Sequence, residues 1–487
     1  MRTVPGPTTR VVVVGAGLGG LSAALHLVAA GREVTVLERG PLPGGRAGLL
    51  DDAGYAFDTG PTVLTMPDLL ADALGAVGEE LSDWLDLRPL DPVYRAFFPD
   101  GSTLDVRSDP AAMAEEVRRV CGPEEAGGYE RFVQFASRLY RYERDDFIDR
   151  NTDSPLGVLT PNLARLAAVG GFRRLAPKVS SYLKDPRTQR VFSFQSLYAG
   201  VSPYEALAIY AVIAYMDAVS GVVAPVGGMH AVPRALAGAA EKHGATIRYG
   251  ECVARVVVER GRAVGVETTA GELVPADVVV LNPDLPAALD LLPPTRRRRL
   301  RASPSCFLLL AGSTQDYTKA AHHNLHFGRE WRPVFADLTR RGRLMADPSL
   351  LVTSATKTDP SLAPANRHSY SVLAPTPNQT AGIDWQIVGP RYREELMHRL
   401  EGLGYKGFGD AIEVEHVTTP LDWERQGLVD GTPFSYAHTL TQTGPFRPGN
   451  LVPHAEGVVL TGSGTRPGVG VPMVLLSGRL AAERITG

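Results

Sequence analysis

Four consecutive valines, Val11 to Val14, run directly into Gly15-Ala16-Gly17-Leu18-Gly19-Gly20, and Glu38 stands eighteen residues beyond Gly20. This arrangement predicts a strand over residues 10–14, a glycine turn, a helix to about residue 30 and a second strand over 33–38. Leu21, Leu25 and Val28 recur at four and three residues, the stripe that seats a helix on a parallel sheet. Each glycine has a reason. Gly15 permits the tight turn, Gly17 lets the backbone approach a pyrophosphate, and Gly20 lets the helix pack on the strand, while the helix N-terminus attracts phosphate charge. Glu38 is placed to take ribose hydroxyls. The same stretch, residues 11–30, is apolar enough to resemble a membrane span, but the packed glycines and the second strand favour the βαβ unit. A second apolar stretch, residues 206–224, is broken by Asp217, Ser220 and Gly221 and is too short to cross a bilayer. No transmembrane segment is expected.

Beyond residue 41 the chain becomes loop-rich. Residues 109–216 read as helical and aromatic, and this block lies outside the dinucleotide unit. Strand and helix signals return over residues 225–283: Gly227-Gly228 before an amphipathic helix, then strands over 246–248, 253–259, 263–268 and 278–281. The chain closes with a strand over 458–460, a glycine cluster and a helix over 472–483. The simplest organisation is one nucleotide domain assembled from residues 1–90, 225–292 and 445–487, interrupted by a helical region, 91–224, and a further substrate-binding region, 293–444.

A G-x-G-x-x-G alone is weak evidence. Gly402-Leu403-Gly404-Tyr405-Lys406-Gly407 matches it too, but follows a helical run and reads as a helix-terminating turn. Context makes the first copy a dinucleotide site without choosing between NAD and FAD. Two features tilt the choice. Gly44-Gly45-Arg46 lies where small residues and a guanidinium can approach a pyrophosphate. Residues 457–473 form a strand, a glycine cluster and a helix start, which puts free amides at a second helix N-terminus, suited to a reduced flavin.

These segments, together with Phe57-Asp58-Thr59-Gly60-Pro61-Thr62 and Pro225-Val226-Gly227-Gly228-Met229, resemble the bacterial-type phytoene desaturases, a branch of the amine oxidase-like flavoproteins. The resemblance spans nearly the whole chain. It implies an α/β fold: a discontinuous Rossmann-type FAD-binding domain with an inserted α+β substrate-binding domain and a helical subdomain. The residues expected to bind FAD are Gly15, Gly17, Leu18, Gly19, Gly20, Glu38, Arg39, Gly45, Arg46, Gly60, Pro61, Thr62, Val253, Gly462, Val471, Pro472 and Met473. Glu38 would hold the adenosine ribose, Val253 would offer its backbone to the adenine, and Val471 to Met473 would lie at the pyrimidine edge of the isoalloxazine. Arg466 is a departure, because some members carry histidine there. The implied substrate is an apolar C40 carotenoid precursor, phytoene, with a quinone or oxygen as electron acceptor.

Desaturation of a saturated carbon–carbon bond can pass a hydride to flavin N5 and a proton to a base or solvent. A C40 polyene has no polar handle, so its site should be a long apolar channel, which the aromatic block would line by resemblance. Arg138, Asp145, Asp146 and Asp217 lie in or beside that block. Each reads as solvated or ion-paired, and no catalytic residue is assigned. His322, His323 and His326 have metal-like spacing but no carboxylate or cysteine cluster, so they read as a loop and no metal is expected. The basic run Arg296 to Arg299 with Arg301 reads equally as a solvated loop or as a contact for anionic lipid.

Composition narrows the classes. The formal charge of -3 gives no field for holding nucleic acid, and 44% apolar residues exclude a disordered chain. Cys121, Cys252 and Cys306 form no Cys-x-x-Cys, which fits a reducing compartment: the cytoplasm, with peripheral contact to the inner face of the cell membrane. The competing readings are a carotenoid isomerase or later-step desaturase, an amine oxidase-like flavoenzyme, and a non-catalytic lipid-binding escort of the same fold.

Overall fold

A computed structural model describes residues 1–487, the side chain of Pro155 excepted. The valine run forms β1 (Arg10–Val14), the glycine turn opens α1 (Leu18–Ala29), and β2 (Glu33–Glu38) follows. All four valines of β1 are buried, as befits a central strand covered on both faces. After a long excursion the chain returns as α2 (Ala231–Lys242), β3 (Thr246–Tyr249) and β4 (Val278–Leu281), and again at the end as β5 (Val458–Leu460) and α3 (Val471–Thr486). The strands assemble in the order β3-β2-β1-β4-β5, every neighbour parallel. In such a sheet the connection reverses direction between β1 and β4, and ligands bind at that switch, off the carboxyl ends of the strands. The glycine turn lies there. α1 packs against α3 and α2, and the apolar cluster that joins them includes Leu21, Leu25, Leu236 and Leu475.

A three-stranded antiparallel sheet, Val253–Glu259, Arg262–Thr268 and Leu273–Pro275, fills the crossover from β3 to β4. The second large layer is a seven-stranded sheet. Its order is Ile412–Thr418, Ser305–Ser313, His368–Thr376, Leu350–Thr353, His323–His326, Tyr94–Phe97 and Thr103–Val106. The last two strands correct the wholly helical reading of residues 91–224. That segment begins in this sheet, with Arg95 in register with Asn324, before it turns helical at Pro110–Cys121. The reason is pairing across more than 200 residues, which local periodicity does not carry. The histidine segment is corrected as well. His323 and His326 sit buried in a strand rather than a loop.

Helices Pro110–Cys121, Pro123–Glu143, Pro161–Ala168, Leu175–Tyr182 and Pro186–Val191 make a lobe whose aromatic side chains form a core of their own, with Tyr129, Phe132, Phe135 and Phe192 in mutual contact. The lobe ends in helix Ala211–Tyr215, which widens into a π-helical turn over Met216–Ser220 and stops at Gly221, φ 91°. No helix among the described residues is long and apolar enough to cross a membrane.

Candidate active site

One cavity of about 1080 Å³ begins at the carboxyl ends of β1 and β2 and extends past α3 into the helical lobe. Gly15, Gly17, Leu18, Gly19, Glu38, Arg39, Gly45, Arg46, Gly60, Pro61, Thr62, Val253, Gly462, Val471, Pro472 and Met473 all border it. Gly20 does not, and its role is packing. A Cβ there would overlap the Gly15 carbonyl oxygen, while Gly15 itself takes φ 97°, which a side chain resists.

The cradle is held by polar contacts that need no ligand. The Glu38 carboxylate accepts from the amides of Ala16 (2.7 Å) and Gly40 (2.8 Å), joining the end of β2 to the glycine turn. Each oxygen keeps a lone pair for a hydroxyl. Arg46 donates to Asp284 Oδ1 (2.7 Å) and to Ser463 Oγ (2.9 Å), which ties the first glycine segment to the last. Asp284 also accepts from the Val429 amide at 3.0 Å. Arg39 donates to the Gln426 carbonyl at 2.7 Å. Around the C-terminal glycines, the fully buried Arg447 donates to the carbonyls of Ser463, Thr465 and Tyr436, and Ser477 Oγ accepts from the Gly462 amide at 3.0 Å.

Asn282 was not legible as a site residue. It follows β4 directly, donates to the Gly15 carbonyl at 3.2 Å, and stands against Gly17, Gly19 and Gly462. Its position after a buried strand was visible, but that β4 lies beside β1 was not. Asp284 and Ser463 escaped for the same reason.

Two helices point their N-termini into the cavity without internal partners. Neither Gly17 before α1 nor Gly470 before α3 offers a capping side chain, and neither first turn holds an acidic residue. Their free amides suit a phosphate at one end and an electron-rich ring at the other. Carboxylate, uncapped amides and close-approach glycines together fit a flavin dinucleotide.

Residues 18–486 match the model of the family described as flavin containing amine oxidoreductase. The chain belongs to this family. A phytoene dehydrogenase of Streptomyces griseus is 56% identical over 492 residues, covering 100% of this chain and 97% of the relative. A zeta-carotene-forming phytoene desaturase of Myxococcus xanthus is 38% identical, covering 98% and 93%. Among solved structures, an oxidoreductase from Methanosarcina mazei shares the fold with TM-score 0.64 at 19% identity, covering 97% of this chain and 100% of that one.

The chain is thus a flavin-dependent oxidoreductase with an α/β nucleotide fold. Beyond the glycine turns its cavity is walled by Phe147, Ile148, Leu166, Leu207, Ile209, Ile213, Leu308, Leu351 and Leu373. Few polar groups break the wall. Asp217 and Glu143 are the two carboxyls buried there, and Tyr198, Tyr210 and His438 add ring-borne polar atoms.

Asp217 departs from the sequence reading, which placed it with solvated or ion-paired residues. It is 2% exposed, has no ion-pair partner among the described residues, and accepts from the Tyr94 hydroxyl at 3.2 Å. Burial pushes its carboxyl up to about 7 although that hydrogen bond works the other way. Glu143, for which Oε1 finds no partner, is raised well above the usual carboxylate range by burial alone. The surface reading holds for Arg138 and Asp145, which are exposed, and Asp146 stands 3.8 Å from Arg150. The histidines gather no third metal-binding group among the described residues, and burial lowers His322 to about 4 and His326 to about 3. They are neutral rings. His322 pairs with Thr358, His323 with Thr353 and His326 with Tyr405.

Proposed function

We propose that the chain is an FAD-dependent desaturase of a C40 carotenoid precursor, phytoene, with residues 1–90, 225–292 and 445–487 holding the cofactor. The carrying observation is continuity: the dinucleotide cradle and the apolar chamber are one cavity, and its volume of about 1080 Å³ exceeds the usual range of roughly 300–1,000 Å³ for small-molecule sites. FAD supplies a hydride acceptor when bound. The chain's own residues do the rest. Glu38 would hold the ribose, the amides of α1 would receive the pyrophosphate, Arg46 would fix the loop beside it, and the amides of α3 would stabilise negative charge on the reduced ring system. The aliphatic wall orients a hydrocarbon by shape and keeps water from the reacting carbons.

An apolar substrate must arrive from lipid, and the cavity opens where this is practicable. Phe172 (43% exposed), Leu440 (59%) and Phe446 (48%) line it and also face solvent. Arg298 donates to the carbonyls of Phe446 (2.8 Å) and Thr441 (2.5 Å), so the basic run stands beside this apolar rim. A rim of aromatic and aliphatic tips beside arginines suits peripheral contact with an anionic cytoplasmic leaflet. A quinone dissolved in that membrane, or oxygen, would take the electrons.

The test supplies phytoene in liposomes with FAD and each acceptor, followed by pigment chromatography. Longer-absorbing polyenes support the proposal. Their absence with every acceptor, or turnover of amines with peroxide release instead, overturns it.

A further inference from the structure

Resting on the desaturase reading, we infer that Asp217 is the group that takes the proton when the carbon–carbon double bond forms. The inference starts from placement. Asp217 sits in the π-helical turn Met216–Ser220, a local widening of the helix that recurs at functional sites. That turn packs against the strand Leu64–Thr65, which follows directly on Gly60, Pro61 and Thr62 at the cofactor end of the cavity. The carboxyl therefore stands where the cofactor cradle meets the hydrocarbon chamber.

Desaturation releases a proton there, away from solvent, that a base can take. One carbon–hydrogen bond breaks with its electron pair leaving as hydride to the flavin, which is reduced by two electrons. The neighbouring carbon–hydrogen bond breaks, its pair becomes the new π bond, and its proton goes to an Asp217 oxygen. Substrate loses two protons and two electrons, and all are accounted for. Among the groups bordering the chamber, the two tyrosine hydroxyls are held protonated by burial. His438, buried beside the cationic Arg447, is a poor acceptor for the same electrostatic reason. Between the two carboxyls the hydrogen bonds decide. The Tyr94 hydroxyl donates to Asp217 and stabilises its anion, while nothing donates to Glu143 Oε1, which leaves that residue a neutral acid.

The groups that face Asp217 are few. Tyr94 comes from the strand Tyr94–Phe97 and touches it directly, and Tyr198, on the turn after Phe194–Leu197, has its hydroxyl 3.5 Å from that of Tyr94. Behind Tyr94 lies the His323 ring, centroids 5.6 Å apart, which burial keeps neutral. Thr65 is the remaining polar neighbour on the packed strand, and no cation is paired with Asp217 among the described residues.

The experiment compares the FAD-loaded wild type with Asp217→Asn, Asp217→Glu and Tyr94→Phe. Flavin absorbance first establishes that each variant is folded and loaded. For Asp217→Asn the expected result is a fall in kcat of about a hundredfold or more, the usual loss for a missing general base, with KM little changed. Asp217→Glu recovers part of the rate. Wild-type kcat rises with pH through about 7, and Tyr94→Phe moves that limb to higher pH because the anion loses its donor. Infrared difference spectra supply a readout apart from turnover: a carboxyl C=O band that titrates near the same pH in the wild type, in cofactor-free and loaded protein, and vanishes in Asp217→Asn. If wild type makes polyenes while Asp217→Asn keeps its rate and pH limb, the inference falls and the desaturase reading stands. If wild type makes none, both fall.

Discussion

Replacing Glu38 by glutamine tests the cofactor cradle most directly. The carboxylate, 9% exposed, accepts one backbone amide on each oxygen, from Ala16 at 2.7 Å and from Gly40 at 2.8 Å. A glutamine keeps one acceptor and turns an NH2 group toward the other amide, so one hydrogen bond is lost and two donors face each other. Hydrogen bonds to charged groups are worth about 1.5–3 kcal/mol. The amide that loses its partner lies in or next to a segment bordering the cavity, and the same side chain would meet the ribose. At about 1.4 kcal/mol per decade, FAD affinity should fall between roughly tenfold and 150-fold. Fluorescence titration of the FAD-free protein measures this, and a thermal melt without FAD separates loss of the cradle from loss of the fold. Glu38→Asp, one methylene shorter, should weaken binding similarly, because it cannot span to both amides. A dissociation constant within about threefold of wild type for both variants would refute the reasoning and leave Glu38 a purely structural link.

Arg46→Ala should destabilise the protein by about 3 kcal/mol, since it strips the buried Asp284 carboxylate of its cation, and Asp284→Ala in the same chain should restore part of the loss in a thermal melt. Substituting Leu440 and Phe446 together by serine should lower co-flotation with anionic liposomes at least tenfold, at roughly 1.5–3 kcal/mol per apolar side chain, while FAD binding stays unchanged. Asp58, half-buried with the amides of Met229 and His230 ahead of α2 as its donors, is pushed up to about 6 chiefly by desolvation. Its folded pKa exceeds the unfolded value of 3.8, so its contribution favours the fold below that value and is lost as pH rises through about 6. The melting temperature of Asp58→Asn relative to wild type should therefore climb between pH 4 and 7, and a flat difference would contradict the assignment.

The nucleotide half of the fold was open to reading because its signals are local. A valine strand, a glycine turn and an apolar helical stripe lie within thirty residues, and the backbone chemistry of close approach leaves glycines wherever it operates. The terminal cluster declared itself in the same way. What failed to show were partnerships across the chain. Tyr94–Phe97 pairs with a strand more than 200 residues later, and Asn282 meets Gly15 only because β4 lies beside β1. Asp217 illustrates a different limit. A carboxylate in an aromatic block looks the same in sequence whether it faces solvent or a cavity, and only the lobe's packing distinguishes them. The chamber wall was likewise anticipated from resemblance alone, since aromatic spacing cannot tell a core from a channel.

The way the nucleotide sheet is stitched together bears on how the chain is made. β1 and α1 are made before the elements that complete their layer, because two of α1's packing partners and β1's second neighbour lie hundreds of residues downstream. The Val4 amide closes on the Arg484 carbonyl at 2.7 Å, so the segment before β1 is fastened to α3. At roughly 5–20 residues per second, β1 waits on the order of half a minute or longer before β5 and α3 can complete the layer. During that interval its valines and α1's apolar stripe are exposed and need shelter from a chaperone or from the nascent chain itself. The amides of α1 and α3 also cannot be brought to one ligand until α3 has been made, hundreds of residues after α1. Cofactor loading therefore follows the folding of α3, and flavin supply should govern the yield of folded enzyme rather than the early stages of its synthesis.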